Sequence, residues 1–303
     1  MNINIIYEGE KMELRQLQCF FETARWKSFT KASEKLFIAQ PAVSMAIKKL
    51  EKELSIVLFH RHDRAVRLTS EGERLFVHVQ KIFKQLEEAE LEMAELRGLE
   101  KGEVKLGVPS MMGSFYFPNI IVAFKKAYPH LQISIIEDGT KQIQNLINKD
   151  EIDMGVIILD DSSRDLEAVP ITEDEMVVCV PSTHRLAKEK SITYDQLARE
   201  PLVLFKEGYF QRDLVISHIH ALGLTPNIAF ETNQISLTKS LTRKGLGITL
   251  FLKMVILHDQ DLVPLSLDPP ITLSLALAWK RKTYLSKANK AFVDFIVNKK
   301  NQY

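Results

Sequence analysis

Two cysteines in 303 residues, Cys19 and Cys179, are too few and too far apart for a disulfide framework, and no Cys-x-x-Cys is present to hold a metal or a redox pair. A reducing cytoplasm is the expected setting. No apolar run is long enough to cross a bilayer as a helix, and Met1 to Lys11 lack the cationic start, apolar core and small-residue cleavage site of a secretory signal. Charge of neither sign dominates, the net value being +1. Catalytic signatures are missing too: there is no HExxH, nucleophile elbow, Walker loop or Rossmann fingerprint. Gly245-Leu246-Gly247 follows a predicted helix and suits its C-cap better than a phosphate cradle. His218 and His220 stand two apart on a predicted helix and cannot share a face. Neither an enzyme, nor a metal, nor a cofactor is expected.

What is present begins with 46% hydrophobic and 26% charged residues, the balance of a globular chain long enough for two or three units. Residues 28–54, SFTKASEKLFIAQPAVSMAIKKLEKEL, organise the rest. Thr30 is the expected N-cap of a first short helix, with Ala32 and Leu36 inward and Phe29 as a staple. After the turn Phe37-Ile38-Ala39, Pro41 suits the first turn of a second helix, whose residues Val43, Ile47, Leu50 and Leu54 repeat at steps of four, three and four. The opposite face carries Ser44, Met45, Lys48 and Lys52, with Gln40 and Lys49 at its margins. Lysine and glutamine reach phosphates and base edges, a serine hydroxyl donates or accepts, and a methionine touches a thymine methyl. This is a helix-turn-helix whose second helix suits a major groove. From Arg25 to Arg67 ten Lys/Arg stand against four Asp/Glu, so the positive charge is local.

Upstream, Leu14, Leu17, Phe21 and Ala24, widened by Phe20, stripe an amphipathic helix, and Cys19 is expected near its core. Met12 is the expected natural start, because Glu8-Gly9-Glu10-Lys11 can be encoded by a purine run resembling a ribosome-binding site. Downstream, Leu58-Phe59 and Val66-Arg67-Leu68 read as two strands of a wing. Arg61, His62 and Arg64 sit at its tip, within reach of a minor groove or phosphates. A helix from about Ser70 to Leu99 then carries Leu75, Val79, Ile82, Leu86, Ala89, Met93 and Leu96, a strict heptad with glutamate-rich flanks. So narrow a seam asks for a partner helix, and homodimerisation is expected.

These motifs, FTKASEKLFIAQPAVSMAIKKLEKEL followed by LFHRHDRAVRLTSEGE, resemble the winged helix-turn-helix of the LysR-type transcriptional regulators. Three positions depart from the family pattern: Ala39 replaces the serine of Ser-Gln-Pro, Ser55 stands where a glycine usually follows the recognition helix, and Met45 takes a place often basic or polar. The resemblance implies an antiparallel dimer through the long helix, tetramers in turn, a palindromic double-stranded DNA operator, and RNA polymerase as a further partner.

Past a hinge at Gly98–Gly102 the pattern alternates. It reads Val104–Val108, a helix from about Ser114 to Tyr128, Leu131–Glu137, a helix from Lys141 to Asn148, and Met154–Leu159, arguing a parallel α/β sheet. A second part runs from near Thr172 through Met176–Val180, His184-Arg185-Leu186-Ala187, Leu202–Phe205, helices near Gln211–Leu222 and Ser236–Lys244, and the strand Ile228–Glu231. The chain then returns through the strand of Leu273, Leu275 and Leu277 to a final helix of Ala288, Phe292, Phe295 and Ile296.

This half resembles the family's periplasmic-binding-protein-like effector domain, with two α/β subdomains and a cleft between them. The expected fold class is therefore α/β with an N-terminal winged helix-turn-helix at 12–70, a linker helix and hinge at 71–100, and an effector domain at 101–303. Subdomain I takes about 101–171 and 270–303, and subdomain II about 172–269. Pro109-Ser110-Met111-Met112-Gly113-Ser114 and Asp138-Gly139-Thr140 each bring hydroxyls and backbone N–H groups to a helix start at one sheet edge, a setting that favours an anion. Ser110 and Thr140 match positions where the family holds effector carboxylates, and Phe205 matches a wall of that cleft. Met111, Met112 and Phe115 supply apolar contact, and Thr232 completes the candidate set. The expectation is a small organic anion. The competing class, a solute-binding protein or enzyme with an accessory helical module, has no export signal and leaves the N-terminal module unexplained.

Overall fold

The computed structural model describes residues 12–60, 66–96, 102–160 and 163–300. The chain divides into two compact units, Met1–Met93 and Ala94–Tyr303. The leader before the expected start at Met12, the wing tip and most of the Gly98–Gly102 hinge lie outside the described residues.

In the first unit α1 (Leu14–Trp26), α2 (Phe29–Leu36) and α3 (Gln40–Leu54) surround one apolar core, and α4 (Ser70–Leu96) closes it with its first turns. Phe20, expected only to widen the α1 stripe, is its fully buried centre, whereas Leu14 is 52% exposed. Phe21 turns to α4 and stacks on Phe76 with ring centroids 5.2 Å apart. The cap of α2 is Ser28, not Thr30: extended at φ −160°, Ser28 accepts from the Lys31 N–H through its Oγ, and Phe29 already lies in the helix. Pro41 does open α3, in its first turn. Among the described residues the wing strands show one antiparallel bridge, Phe59 with Leu68. Two features hold the wing to the core. Buried Glu51 accepts from the Leu58 N–H at 2.7 Å, and Gly72 lets α4 pass so near Leu58 that a Cβ there would stand 2.2 Å from the Leu58 carbonyl oxygen.

In the second unit a sheet runs in the order β2 (Leu131–Glu137), β1 (Gly102–Val108), β3 (Met154–Ile158), β9 (Leu262–Lys280), β4 (Leu166–Pro181) and β8 (Thr249–Leu252), with β5 (Ser191–Thr193) pairing β9. It is mixed, not parallel: β1 pairs β2 and β3 in parallel, but β9 runs antiparallel to both β3 and β4. The reason is two long strands, β4 and β9, that carry the chain across and back in opposite directions, with register breaks at Pro170/Thr172 and Met176/Val177. A small parallel pair, β6 (Pro201–Leu204) and β7 (Asn227–Glu231), lies beyond them.

Helices cover the strands: α5 (Ser110–Phe115), α6 (Phe117–Ala127), α7 (Thr140–Asn148) and α11 (Lys287–Lys300) belong to the β1–β3 end. The other end holds α8 (Tyr194–Ala198), α9 (Phe210–Ala221) and α10 (Ile235–Arg243). The helix expected from Ser114 instead starts at Ser110 and is broken at Tyr116, because Pro118 can only sit in the first turn of a new helix.

Candidate DNA-reading face and effector cleft

On α3, Val43, Ile47 and Leu50 are buried, so the helix must show its other face. Gln40, Pro41, Met45, Lys48 and Lys52 are exposed there and Ser44 is half-buried. Lys49 is exposed but not idle: its Nζ lies 2.7 Å from Glu13 Oε1 on the N-terminal side of α1 and 3.7 Å from Glu53. That hydrogen bond raises the ammonium's pKa and lowers that of the Glu13 carboxyl. Lys49 therefore orients α3 against α1, while Lys48 and Lys52 point away. Thr30 is exposed, and its carbonyl accepts from Ser33 Oγ at 2.7 Å. Arg61, His62 and Arg64 lie outside the described residues.

The helix α4 corrects the heptad reading at one end. Val79 is fully buried in the core of the first unit and is not open to a partner helix, while half-buried Leu75 packs against the same core. Ile82, Leu86, Ala89 and Met93 remain exposed along one stripe. The amphipathic period alone could not separate the two uses, since both want apolar residues at the same steps.

In the second unit the residues placed far apart in sequence converge. Ser110, Met111, Thr140 and Phe205 line one cavity of about 40 Å³, and Thr140 also borders a wider one of about 350 Å³ between α7 and α9. The starts of those two helices nearly touch: a Cβ on Gly139 would stand 2.7 Å from the Gly208 carbonyl oxygen. Across the wider cavity Lys141 Nζ and Asp213 Oδ2 are 3.4 Å apart.

Three of the expected residues have other partners in the fold. Ser110 Oγ donates to Glu137 Oε1 at 2.7 Å, so its hydroxyl already serves a carboxylate, and the helix it opens is only six residues long. Thr232 lines neither cavity; its Oγ1 accepts from the Gln234 N–H ahead of α10. Phe115 also stays outside them, under the Lys239 ammonium 5.1 Å from its ring centre.

Sequence reading also missed Tyr209 and Gln211, which line the small cavity because α9 begins beside it. Burial pushes the Tyr209 phenol up, as do the Asp138 and Glu137 carboxylates, while a hydrogen bond with Ser110 pulls it down. Among the described residues no group of His, Cys, Asp and Glu could hold a metal ion, and no helix is long and apolar enough to cross a membrane.

Residues 14–73 match the family described as bacterial regulatory helix-turn-helix protein, lysR family, and residues 97–300 match the LysR substrate binding domain. The HTH-type transcriptional regulator YwbI of Bacillus subtilis (strain 168) is 33% identical over 287 residues, covering 93% of this chain and 95% of that protein. A full-length OxyR variant from Pseudomonas aeruginosa superposes with a TM-score of 0.70 at 25% identity, covering 95% of each chain. The effector binding domain of QuiR in complex with shikimate gives a TM-score of 0.58 at 25% identity over 67% of this chain and 99% of that one. Matched in both of its units, and by a relative along nearly all its length, this chain belongs to the LysR family: it is a DNA-binding transcriptional regulator with an effector-binding domain, not an enzyme.

Proposed function

We propose that this regulator works in the cytoplasm as a homo-oligomer that reads a palindromic operator and answers a small organic acid bound in the cleft of its second unit. In this reading residues 12–70 bind DNA, with Gln40, Ser44, Met45, Lys48 and Lys52 facing the major groove and Arg61, His62 and Arg64 reaching beside it. Residues 71–100 link and dimerise through Ile82, Leu86, Ala89 and Met93, and residues 101–303 sense the effector. Subdomain I takes about 101–171 and 270–303, and subdomain II about 172–269. A dimer's two recognition helices ask for half-sites about one helical turn, or a multiple of it, apart. Pairing of dimers makes a tetramer, and RNA polymerase is the further partner.

One observation carries the effector reading: Ser110, Met111, Thr140 and Phe205, spread over nearly a hundred residues, line a single cavity with Met176 of β4 and Leu273 and Leu275 of β9. An acid fits the converging starts of α7 and α9, whose free N–H groups favour negative charge. QuiR, the similar effector domain, holds shikimate, itself a carboxylate. Titration calorimetry of the full-length chain against a panel of carboxylates, repeated with Thr140→Val and Phe205→Ala, is the test. The expected result is a ligand that loses affinity in both variants; one that binds all three proteins equally would place the sensing site elsewhere.

A further inference from the structure

We propose that the oxygen-acceptor end of the effector, a carboxylate or a carbonyl, is received by the side-chain amide of Gln211 and the backbone N–H of Leu252, with the Met111 side chain a displaceable plug at that place. The inference rests on the cleft reading above and adds the donors, which belong to residues that reading does not use.

Gln211 is the second residue of α9 and only 5% exposed, yet its Nε2 is buried with no hydrogen-bond partner among the described residues. Buried amide donors are nearly always satisfied, because leaving one unpaired forfeits its hydration with nothing in return. Leu252, at the end of β8, has a related want. Its N–H is buried and donates to a thioether, Met111 Sδ at 3.3 Å, which is a weak acceptor. Gln211, Leu252 and Met111 all line the small cavity with Ser110 and Phe205. Two under-satisfied donors thus share one hollow, and a single oxygen group could serve both.

The hollow around them is narrow and open on one side. Its volume of about 40 Å³ has room for water but is small for an organic acid. The walls that must give way include Met111, Met112 and Met176, unbranched side chains with three rotatable bonds that repack readily. Departure of the Met111 thioether would open room and release the Leu252 N–H in the same movement. Exchanging a sulfur acceptor for an oxygen strengthens that bond, so entry of the effector is coupled to its own anchoring.

The test uses the full-length chain with acetate and acetamide as minimal oxygen acceptors, at fixed ionic strength, read by thermal unfolding. Met111→Ala removes the plug, and either additive near saturation is expected to raise its Tm by roughly 2–4 °C more than it raises that of wild type. Met111→Ala combined with Gln211→Leu should show no such excess. A stronger effect of acetate assigns a carboxylate to the site, and a stronger effect of acetamide a neutral carbonyl.

Equal gains in the single and double variants, or none in either, would overturn the proposal. Gln211→Leu alone guards against a Met111 variant that fails to fold: its Tm should equal or exceed that of wild type. A fall of several degrees would mean the amide has a structural partner, and would likewise overturn the proposal. A carboxylate weakened by Thr140→Val and Phe205→Ala but bound as tightly by Gln211→Leu would leave the cleft reading standing and remove this one.

Discussion

Ser110 and Glu137, one just past the end of β1 and the other at the end of β2, meet through a 2.7 Å hydrogen bond from the serine Oγ to the glutamate Oε1. Parallel pairing of β1 and β2 puts Val108 beside Glu137, which brings the next turn of chain within reach of that carboxylate. A negative charge of the protein's own therefore stands where an anionic effector would seek a hydroxyl. Replacing it by Glu137→Gln keeps an acceptor for Ser110 and removes the repulsion. Affinity for a carboxylate effector should rise about three- to tenfold, as expected for removing a like charge beside a partly exposed site. Calorimetry on both proteins would show it; a fall in affinity would mean that Glu137 accepts a hydrogen bond from the effector itself.

The α4 stripe separates two kinds of damage. Ile82 and Leu86 are 37% and 41% exposed, so Ile82→Glu with Leu86→Glu should leave the first unit folded while sedimentation shows loss of dimer. Val79→Asp, at a fully buried position, should instead unfold that unit, since an unpaired buried carboxylate costs several kcal/mol or more. Circular dichroism distinguishes the two, and a double variant that still sediments as wild type would mean α4 has no partner helix.

Lys48 is exposed on α3 beside buried Ile47, so it takes no part in the core. Lys48→Ala should weaken operator binding and reduce the slope of log affinity against log salt by about 0.9, one phosphate contact. Gel shifts over a salt series measure both, with Lys49→Ala as contrast: it also breaks the 2.7 Å link to Glu13 and should lower the stability of the first unit slightly.

Ser55 closes α3 in the left-handed region at φ 53°, where its Cβ is strained. Its N–H bonds to the Glu51 and Lys52 carbonyls survive any side chain. Ser55→Gly should therefore stabilise the protein by about 0.5–1 kcal/mol despite glycine's larger entropy loss. Urea unfolding would register the change as a higher midpoint with an unaltered slope.

Both thiols are buried and their pKa values are raised by burial, Cys179 more than Cys19, so the reactive thiolate is scarce at neutral pH. Iodoacetamide should leave the native protein unmodified and label both cysteines once urea is added. Rapid labelling without urea would reveal an opening of β4 or α1 that the packing does not suggest.

The sequence by itself determined whatever depends on neighbours along the chain. The 4-3-4 spacing of Val43, Ile47, Leu50 and Leu54 decided which face of α3 turns outward, and Pro41 marked where the helix starts. The strands Leu131–Glu137 and Met154–Ile158 followed from apolar runs between turn residues. Local competition was harder to read. Ser28 and Thr30 are both good caps, and only the extended backbone at Ser28 settles which one acts.

Tertiary structure alone decided what depends on residues remote in sequence. Leu75, Val79, Ile82 and Leu86 follow one repeat, yet the helices above Val79 bury it while Ile82 stays open; a periodic pattern records a face, not what covers it. The mixed sheet arises because β4 and β9 pair over most of their length, a match that no short window contains. Ser110 reads as a free hydroxyl until Glu137, 27 residues on, is folded beside it, and Gln211 reads as an ordinary helix start until Met111 and Leu252 are folded to the same cavity. Hydrogen bonds and burial are set by the atoms that end up adjacent, so these roles appear only once the chain has folded.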